Sequence, residues 1–266
     1  MTPQYFDAHS HLNFPEYDAD RETVVRRMEE QSVGTITVGT DAVSSRSALD
    51  LAVKYSFIFA SIGVHPADDK LQSFEVEKFE SLIFHPKVVA VGECGLDYHL
   101  ISAGDEAEKK RQRELFVKQI EFALKYQKPL MIHSRAAYGQ THEILVSYAR
   151  RHGEKLSGNI HFFTGSIEDA KRFLELGFTL SVAGVATFAR EYDEMIRFLP
   201  LSAILSETDA PFAAPEPWRG KRNEPAYVVE VVRAIARVRS QDEELVREAL
   251  VENARRVFRL NQGVAA

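Results

Sequence analysis

Apolar and polar positions along this chain switch between two periods. Short runs rich in Val, Ile, Phe and Thr alternate with longer stretches whose apolar residues recur every three or four positions. The short runs predict strands at Tyr5–His9, Thr35–Gly39, Ile58–Gly63, Val88–Glu93, Leu130–His133, Asn159–Phe162, Phe178–Val182 and Ala203–Glu207. The amphipathic stretches predict helices over 19–32, 43–55, 74–84, 105–127, 140–153, 167–176, 190–199 and 225–260. Within 107–126, Leu115, Phe116, Ile120, Ala123 and Leu124 share one helical face beside a charged one. Ser166 followed by Asp169 is a helix-start signal, and Gly177 ends the same helix.

Spread over 266 residues, eight strand–helix units take about 33 residues each, close to one βαβ element. A doubly wound open sheet also alternates in this way, but it gathers its site near one switch point. Here ligand-type residues end the first, fourth, fifth, sixth and eighth strands, and only a closed barrel brings all strand ends to one mouth. The expected fold is therefore α/β, a (β/α)8 TIM-type barrel with its site at the carboxyl ends of the strands. No linker divides the chain, so a single domain over 1–266 is expected. The proline-dense stretch from Pro211 to Pro225 is expected to be a long loop over the mouth, where substrate contacts are made.

Composition narrows the function. The net charge is −6, which argues against a passive nucleic-acid coat but leaves open an enzyme that supplies positive charge through a metal. A single cysteine, Cys94, excludes an internal disulfide and a thiolate zinc site, and fits a reducing cytoplasm. With no amino-terminal signal pattern and no apolar run of bilayer length, a cytoplasmic chain without membrane association is expected, with no obligate protein partner evident.

The candidate chemistry lies at the strand ends. In Phe6-Asp7-Ala8-His9-Ser10-His11, positions i and i+2 of an extended strand face one way, so His9 and His11 can meet one ion. Asp7 alternates with His9 and is expected to orient it by a hydrogen bond. Glu93 lies between Gly92 and Cys94-Gly95, where glycine permits close approach, and its two oxygens suit it to bridge two cations. Cys94 as ligand or nucleophile is disfavoured because the adjacent position points to the opposite face. His133 and His161 each end a strand, and imidazole with carboxylate suits Zn, Mn, Fe or Ni. Arg135 is matched equally to a substrate phosphate and to a carboxylate. Asp209 is placed to bind a cation and to orient or deprotonate a water, with Glu207 on the same strand face behind it. His65 follows the third strand near the mouth, whereas His85, His99, His142 and His152 fall in loops or on helix surfaces.

Six segments then resemble, in order, the TatD-type metal-dependent deoxyribonucleases of the amidohydrolase-like superfamily. They are Phe6-Asp7-Ala8-His9-Ser10-His11-Leu12-Asn13, Gly63-Val64-His65-Pro66, Gly92-Glu93-Cys94-Gly95-Leu96-Asp97-Tyr98, His133-Ser134-Arg135, His161-Phe162-Phe163-Thr164-Gly165 and Glu207-Thr208-Asp209-Ala210-Pro211. Asn253-Ala254-Arg255-Arg256-Val257-Phe258 is similar to the family's closing segment. The resemblance implies two divalent cations (Zn, Mn or Mg). His9, His11, Glu93 and Asp209 would hold one, and Glu93, His133 and His161 the other. His65 would face the substrate phosphate. The chain departs from many relatives at Ala67 and over Ala136-Ala137-Tyr138-Gly139, which bears on substrate preference.

Three functions follow. The first is a hydrolase of DNA phosphodiesters, acting on single strands or 3′ ends, with catalytic residues Asp209, Glu93 and His65. Arg135, Arg222 or Lys221 would hold flanking phosphates, and Lys109-Lys110-Arg111 with Arg113 would form a nucleic-acid path. The second keeps the metal site but takes a small phosphoester, lactone or amide. The third, a scaffold with a structural metal, fits poorly with five or six N/O ligands at a barrel mouth.

Overall fold

Alternation of strand and helix resolves into one eight-stranded parallel sheet in strictly sequential order, β1 to β8. The computed structural model describes residues 3–68, 73–102 and 104–260. The strands are β1 Tyr5–Ser10, β2 Val33–Val38, β3 Ile58–Ile62, β4 Val88–Asp97, β5 Leu130–Arg135, β6 Gly158–Ile160, β7 Thr179–Val182 and β8 Ile204–Ser206. The sheet closes on itself: Ser10 bridges Ala210, and Ser206 Oγ donates to Phe6 O at 3.0 Å. Helices α1 Arg21–Glu30, α2 Ala42–Lys54, α3 Val76–Ile83, α4 Glu106–Tyr126, α5 Tyr138–His152, α6 Ile167–Glu175, α7 Asp193–Phe198, α8 Val228–Arg239 and α9 Glu243–Phe258 follow the strands. The (β/α)8 TIM-type barrel is thus the observed architecture.

Strand periodicity divides the core in two. Along β3, Ile58, Ala60 and Ile62 pack in the large cluster beneath the helices, while Phe59 belongs to a second cluster. That second cluster joins Phe6, Ala8, Ile36, Met131 and Leu205 to Val251, Ala254 and Phe258 of α9. Most strand residues are therefore buried on both faces, as parallel sheets require, while β5 opens at its end, with His133 half-buried and Arg135 exposed.

Several boundaries differ from expectation for local reasons. The stretch 225–260 is two helices, because Ser240 takes a left-handed conformation (φ 52°) and Asp242 caps α9, accepting from Leu245 N–H at 3.0 Å. Strand β4 runs four residues past Glu93 to Asp97, paired with β5 through Gly95↔His133 and Asp97↔Arg135. Strands β6 and β8 stop at Ile160 and Ser206, so His161, Glu207 and Asp209 stand just beyond them.

The proline-rich segment after β8 is pinned down. Asn223 Nδ2 donates to Thr208 O and Phe212 O at 2.8 and 2.7 Å, and Glu216 N–H donates to Thr187 Oγ1 at 2.9 Å. Only its first residues reach the mouth, where Phe212 and Ala213 line the cavity.

Candidate metal centre

Local backbone geometry sets each donor in place. Glycine on either side of Glu93 lets β4 press against β5: a Cβ on Gly92 would collide with Met131 O, and one on Gly95 with His133 O. Asp209 sits in the left-handed region (φ 55°), which aspartate tolerates better than most residues, and its N–H donates to His9 O at 2.9 Å. That bond ties the loop after β8 to β1.

The donors meet in two groups that share Glu93. His9 Nε2 and His11 Nε2 lie 3.2 Å apart, Glu93 Oε2 lies 3.5 Å from each, and Asp209 Oδ1 lies 3.6 and 3.5 Å from them. A four-coordinate ion with bonds of about 2.1 Å has ligand–ligand edges of about 3.4 Å, so this donor set fits a cation. The other oxygen, Glu93 Oε1, lies 2.9 Å from His133 Nδ1 and 2.8 Å from His161 Nε2, which are themselves 3.1 Å apart. His65 Nε2 approaches the same oxygen at 3.6 Å. These two imidazoles converge with one carboxylate oxygen, and the groups spaced to hold a metal join Glu93 and His133 to His65, and Glu93 and His161 to His9.

Electrostatics couples these groups. Burial opposes ionisation of Glu93, but the imidazoles of His161, His65 and His9 outweigh it and hold its carboxyl well below the usual range. Burial likewise opposes protonation of His161, yet Glu93 and Glu207 raise it well above the ordinary imidazole value. His9 is lowered, by burial first and then by the neighbouring His161. Burial works against the Asp209 charge too, but His11, His9 and His161 leave its carboxyl below the usual value.

The supporting groups divide differently from expectation. Glu207, fully buried, accepts from Phe162 N–H at 2.7 Å and from Ser181 Oγ, and lies 3.5 Å from His161 Nδ1. It stands beside His161 without bonding it, since His161 Nδ1 is buried with no hydrogen-bond partner. Asp7 does not orient the His9 ring, whose Nδ1 is buried without a hydrogen-bond partner. Its carboxyl instead takes Thr208 N–H and Oγ1 at 2.8 and 2.7 Å and His9 N–H at 3.3 Å, so it staples β1 to the segment after β8. Burial raises that carboxyl well above the usual range.

Two carboxylates escaped the sequence reading as site residues. Asp97 Oδ2 takes His133 Nε2 at 3.1 Å, leaving Nδ1 to face Glu93. Asp68 Oδ1 takes His65 Nδ1 at 2.6 Å, leaving Nε2 to face the centre. For Asp97 a signal existed, since it lies four residues beyond Glu93 and so on the same face of an extended strand.

Helix α4 holds these loops with a buried polar stripe. Gln119 bonds both Val64 N and Val64 O at 2.8 and 2.9 Å, Gln112 Oε1 takes Asp97 N–H at 2.9 Å, and Arg111 donates to Pro66 O. Of the proposed nucleic-acid path, Arg113 stands beside Tyr98, and the other three cations have partners on this helix: Lys109 with Glu106 at 2.9 Å, Lys110 with Glu114 at 3.7 Å and Arg111 with Glu108 at 2.7 Å. These i,i+3 and i,i+4 partners satisfy the cations locally.

A cavity of about 620 Å3 opens above the centre, with His65, Asp97, Arg135, Phe162 and Tyr192 in its walls. Arg222 does not line it. Its guanidinium forms a two-point contact with Asp20 at 2.8 and 2.7 Å and approaches Glu224 at 3.3 Å, so it fastens the loop instead of facing substrate. Cys94 lies in the cluster under the helices, its thiol pushed well up by burial.

Comparison with known proteins identifies the family. Residues 6–259 match the model of the TatD-related DNase family. The chain is 38% identical to the uncharacterised metal-dependent hydrolase YabD of Bacillus subtilis, over 96% of this chain and 99% of that protein. It is 32% identical to the uncharacterised metal-dependent hydrolase YjjV of Escherichia coli, over 97% of this chain and 99% of that one. The crystal structure of YjjV superposes with a TM-score of 0.87 at 30% identity, covering 97% of this chain and 99% of that chain. A hydrolase of the TatD family from Entamoeba histolytica shares the fold at TM-score 0.81 and 20% identity. With the family model matched from the first strand to the last helix, this chain belongs to the TatD-related DNase family of metal-dependent hydrolases.

Proposed function

We propose that this protein is a deoxyribonuclease that hydrolyses DNA phosphodiester bonds from a strand end, with two divalent cations (Zn, Mn or Mg) as its cofactors. The observation that carries this reading is the division of Glu93: one oxygen faces His9 and His11, the other His133 and His161. A phosphodiester resists attack because its anionic oxygens repel a nucleophile. Bound cations would neutralise that charge, lower the pKa of water and stabilise the leaving oxygen.

The chain's own residues supply the rest. Asp209 keeps 18% of its side chain exposed beside buried His9 and His11, so it can orient the attacking water and accept its proton. His65, with Nδ1 held by Asp68, turns Nε2 towards the centre, where it would face a phosphate or leaving oxygen. Arg135 stands in the wall as a partner for a flanking phosphate. The family's description as DNases supports DNA as substrate. The compartment proposed is the cytoplasm; Cys94 is a buried free thiol, and no helix among the described residues is long and apolar enough to cross a membrane.

The test offers the purified protein, with Mn or Mg, labelled single-stranded DNA, a lactone and an aryl phosphate. Stepwise shortening of DNA, abolished by EDTA and by Asp209→Ala, is expected. Turnover of the lactone or aryl phosphate with DNA left intact would overturn the reading. Unchanged turnover in Glu93→Ala would remove the bridging role.

A further inference from the structure

The cavity has two unlike ends. In the closed ring of eight strands, β5 is four strands from β1 in either direction, so their loops face each other across the mouth. On the β1 and β8 side, Phe14 stacks on His11 with centroids 4.4 Å apart, and Phe212 stands edge-on to the same ring at 6.1 Å. Both line the cavity. Phe212 is 50% exposed; among the described residues only Phe84 and Phe198 are comparably open phenylalanines, and neither lines the cavity. A half-bare ring beside a charged centre is surface that water solvates poorly and a flat apolar group covers well.

On the opposite side stands Arg135. Its guanidinium forms no hydrogen bond or ion pair among the described residues, although its charge helps keep Asp97 ionised. Among the described residues of the cavity wall it is the only lysine or arginine, alongside the carboxylates of Asp68, Glu93, Asp97 and Asp209. Glu93 and the two imidazole groups lie between the ring end and the cation end.

From this polarity we infer that the mouth contains two substrate subsites, a nucleobase slot at Phe14 and Phe212 and a second-phosphate site at Arg135. The inference rests on the function proposed above and specifies its substrate. A phosphodiester at the centre then carries a base towards β1 and β8 and the next phosphate towards β5, which is the repeat of a nucleic-acid strand. A lactone or a simple alkyl ester would leave both subsites empty. The cavity has the size of a small-molecule pocket, which suits a terminal nucleotide unit. Base–aromatic stacking works for every base, so the slot requires a base without selecting which one.

The experiment compares four Mn-dependent substrates: dTpdT, its 5′-phosphorylated form, and two analogues in which one or the other thymine base is replaced by hydrogen. In the wild type, removing one of the two bases should lower kcat/KM about tenfold, the scale of one stacking contact. Adding the phosphate should raise it about tenfold, the scale of one charge-assisted hydrogen bond. Phe212→Ala should bring the base ratio to about one while the phosphate gain persists. Arg135→Gln should do the reverse, losing the phosphate gain and keeping the base ratio. This crossed pattern is one that a merely structural defect does not produce. Equal losses on all four substrates in either variant would overturn the subsites, as would wild-type protein that cleaves all four at one rate. Wild-type protein that cleaves none of them, nor longer DNA, would overturn the proposed function and the subsites together.

Discussion

Gln119→Leu is the sharpest test of how the fold positions the centre. Gln119 is fully buried on α4, and its amide spans both backbone groups of Val64, taking the N–H at 2.8 Å and giving to the carbonyl at 2.9 Å. Val64 immediately precedes His65. Leucine is close in size and helix propensity, so the substitution chiefly strands the two Val64 groups in a dry interior. Each costs about 1–3 kcal/mol when left without a partner. The better burial of leucine offsets about 1–2 kcal/mol of that. A net loss of about 2–4 kcal/mol is expected, or roughly 5–15 °C in Tm for a domain of this size. Activity should fall further than stability alone explains. Val64 can recover its hydrogen bonds only by moving, and a shift of about 1 Å at His65 costs on the order of a hundredfold in rate. Cation content should be retained, because Gln119 touches none of the residues around Glu93. Urea unfolding, DNA turnover and elemental analysis on one preparation read all three. A variant within about 0.5 kcal/mol of wild type, turning over DNA at the wild-type rate, would refute the reasoning.

Three further perturbations probe other layers. Asp97→Asn lets an amide N–H face His133 Nε2, which would put the ring proton on Nδ1 and aim it at Glu93; cation affinity should fall about 10–100-fold in a chelator competition, and unchanged affinity would remove Asp97 from the site. Glu207→Gln weakens the acceptor for Phe162 N–H and Ser181 Oγ and takes the negative charge from His161. It should cost about 1–3 kcal/mol in urea unfolding as well as cation affinity, and a fully stable variant would count against it. Lys87, whose Nζ donates to Tyr55 O, Ser56 O and Ile58 O, is lowered by burial from 10.5 to about 8. Between these values the unfolded chain binds more protons than the folded one, so this group makes stability rise with pH. The wild type should therefore gain on Lys87→Met as pH is raised through that window, whereas parallel pH profiles would show that Lys87 titrates no differently when folded.

Much of the site was legible because it depends on period and order. A ligand at the end of an apolar run in an alternating chain has one place to go once the ring closes. His9, His11, Glu93, His133, His161 and Asp209 all reach that place. The exceptions share a cause. Arg222 reads as a free cation in a loop over the mouth, and only the approach of Asp20 from β1's trailing loop shows that it is taken. Asp7 reads as a partner for His9 because the two are neighbours in sequence. Its true partner, Thr208, lies two hundred and one positions away. The roles of Gln112 and Gln119 carry no sequence signal, since a helix pattern does not reveal that a neighbouring loop will need its backbone satisfied there.

The sequence by itself determined the barrel, the family resemblance and the rim to which the donors belong, because strand periodicity and the alternation of elements are local properties. Tertiary structure decided which nitrogen each imidazole presents, which carboxylates stand behind them and which cations remain free to meet a substrate. Those outcomes depend on distances between segments far apart in the chain, and a hydrogen bond or ion pair exists only once folding has brought its two halves within about 3 Å.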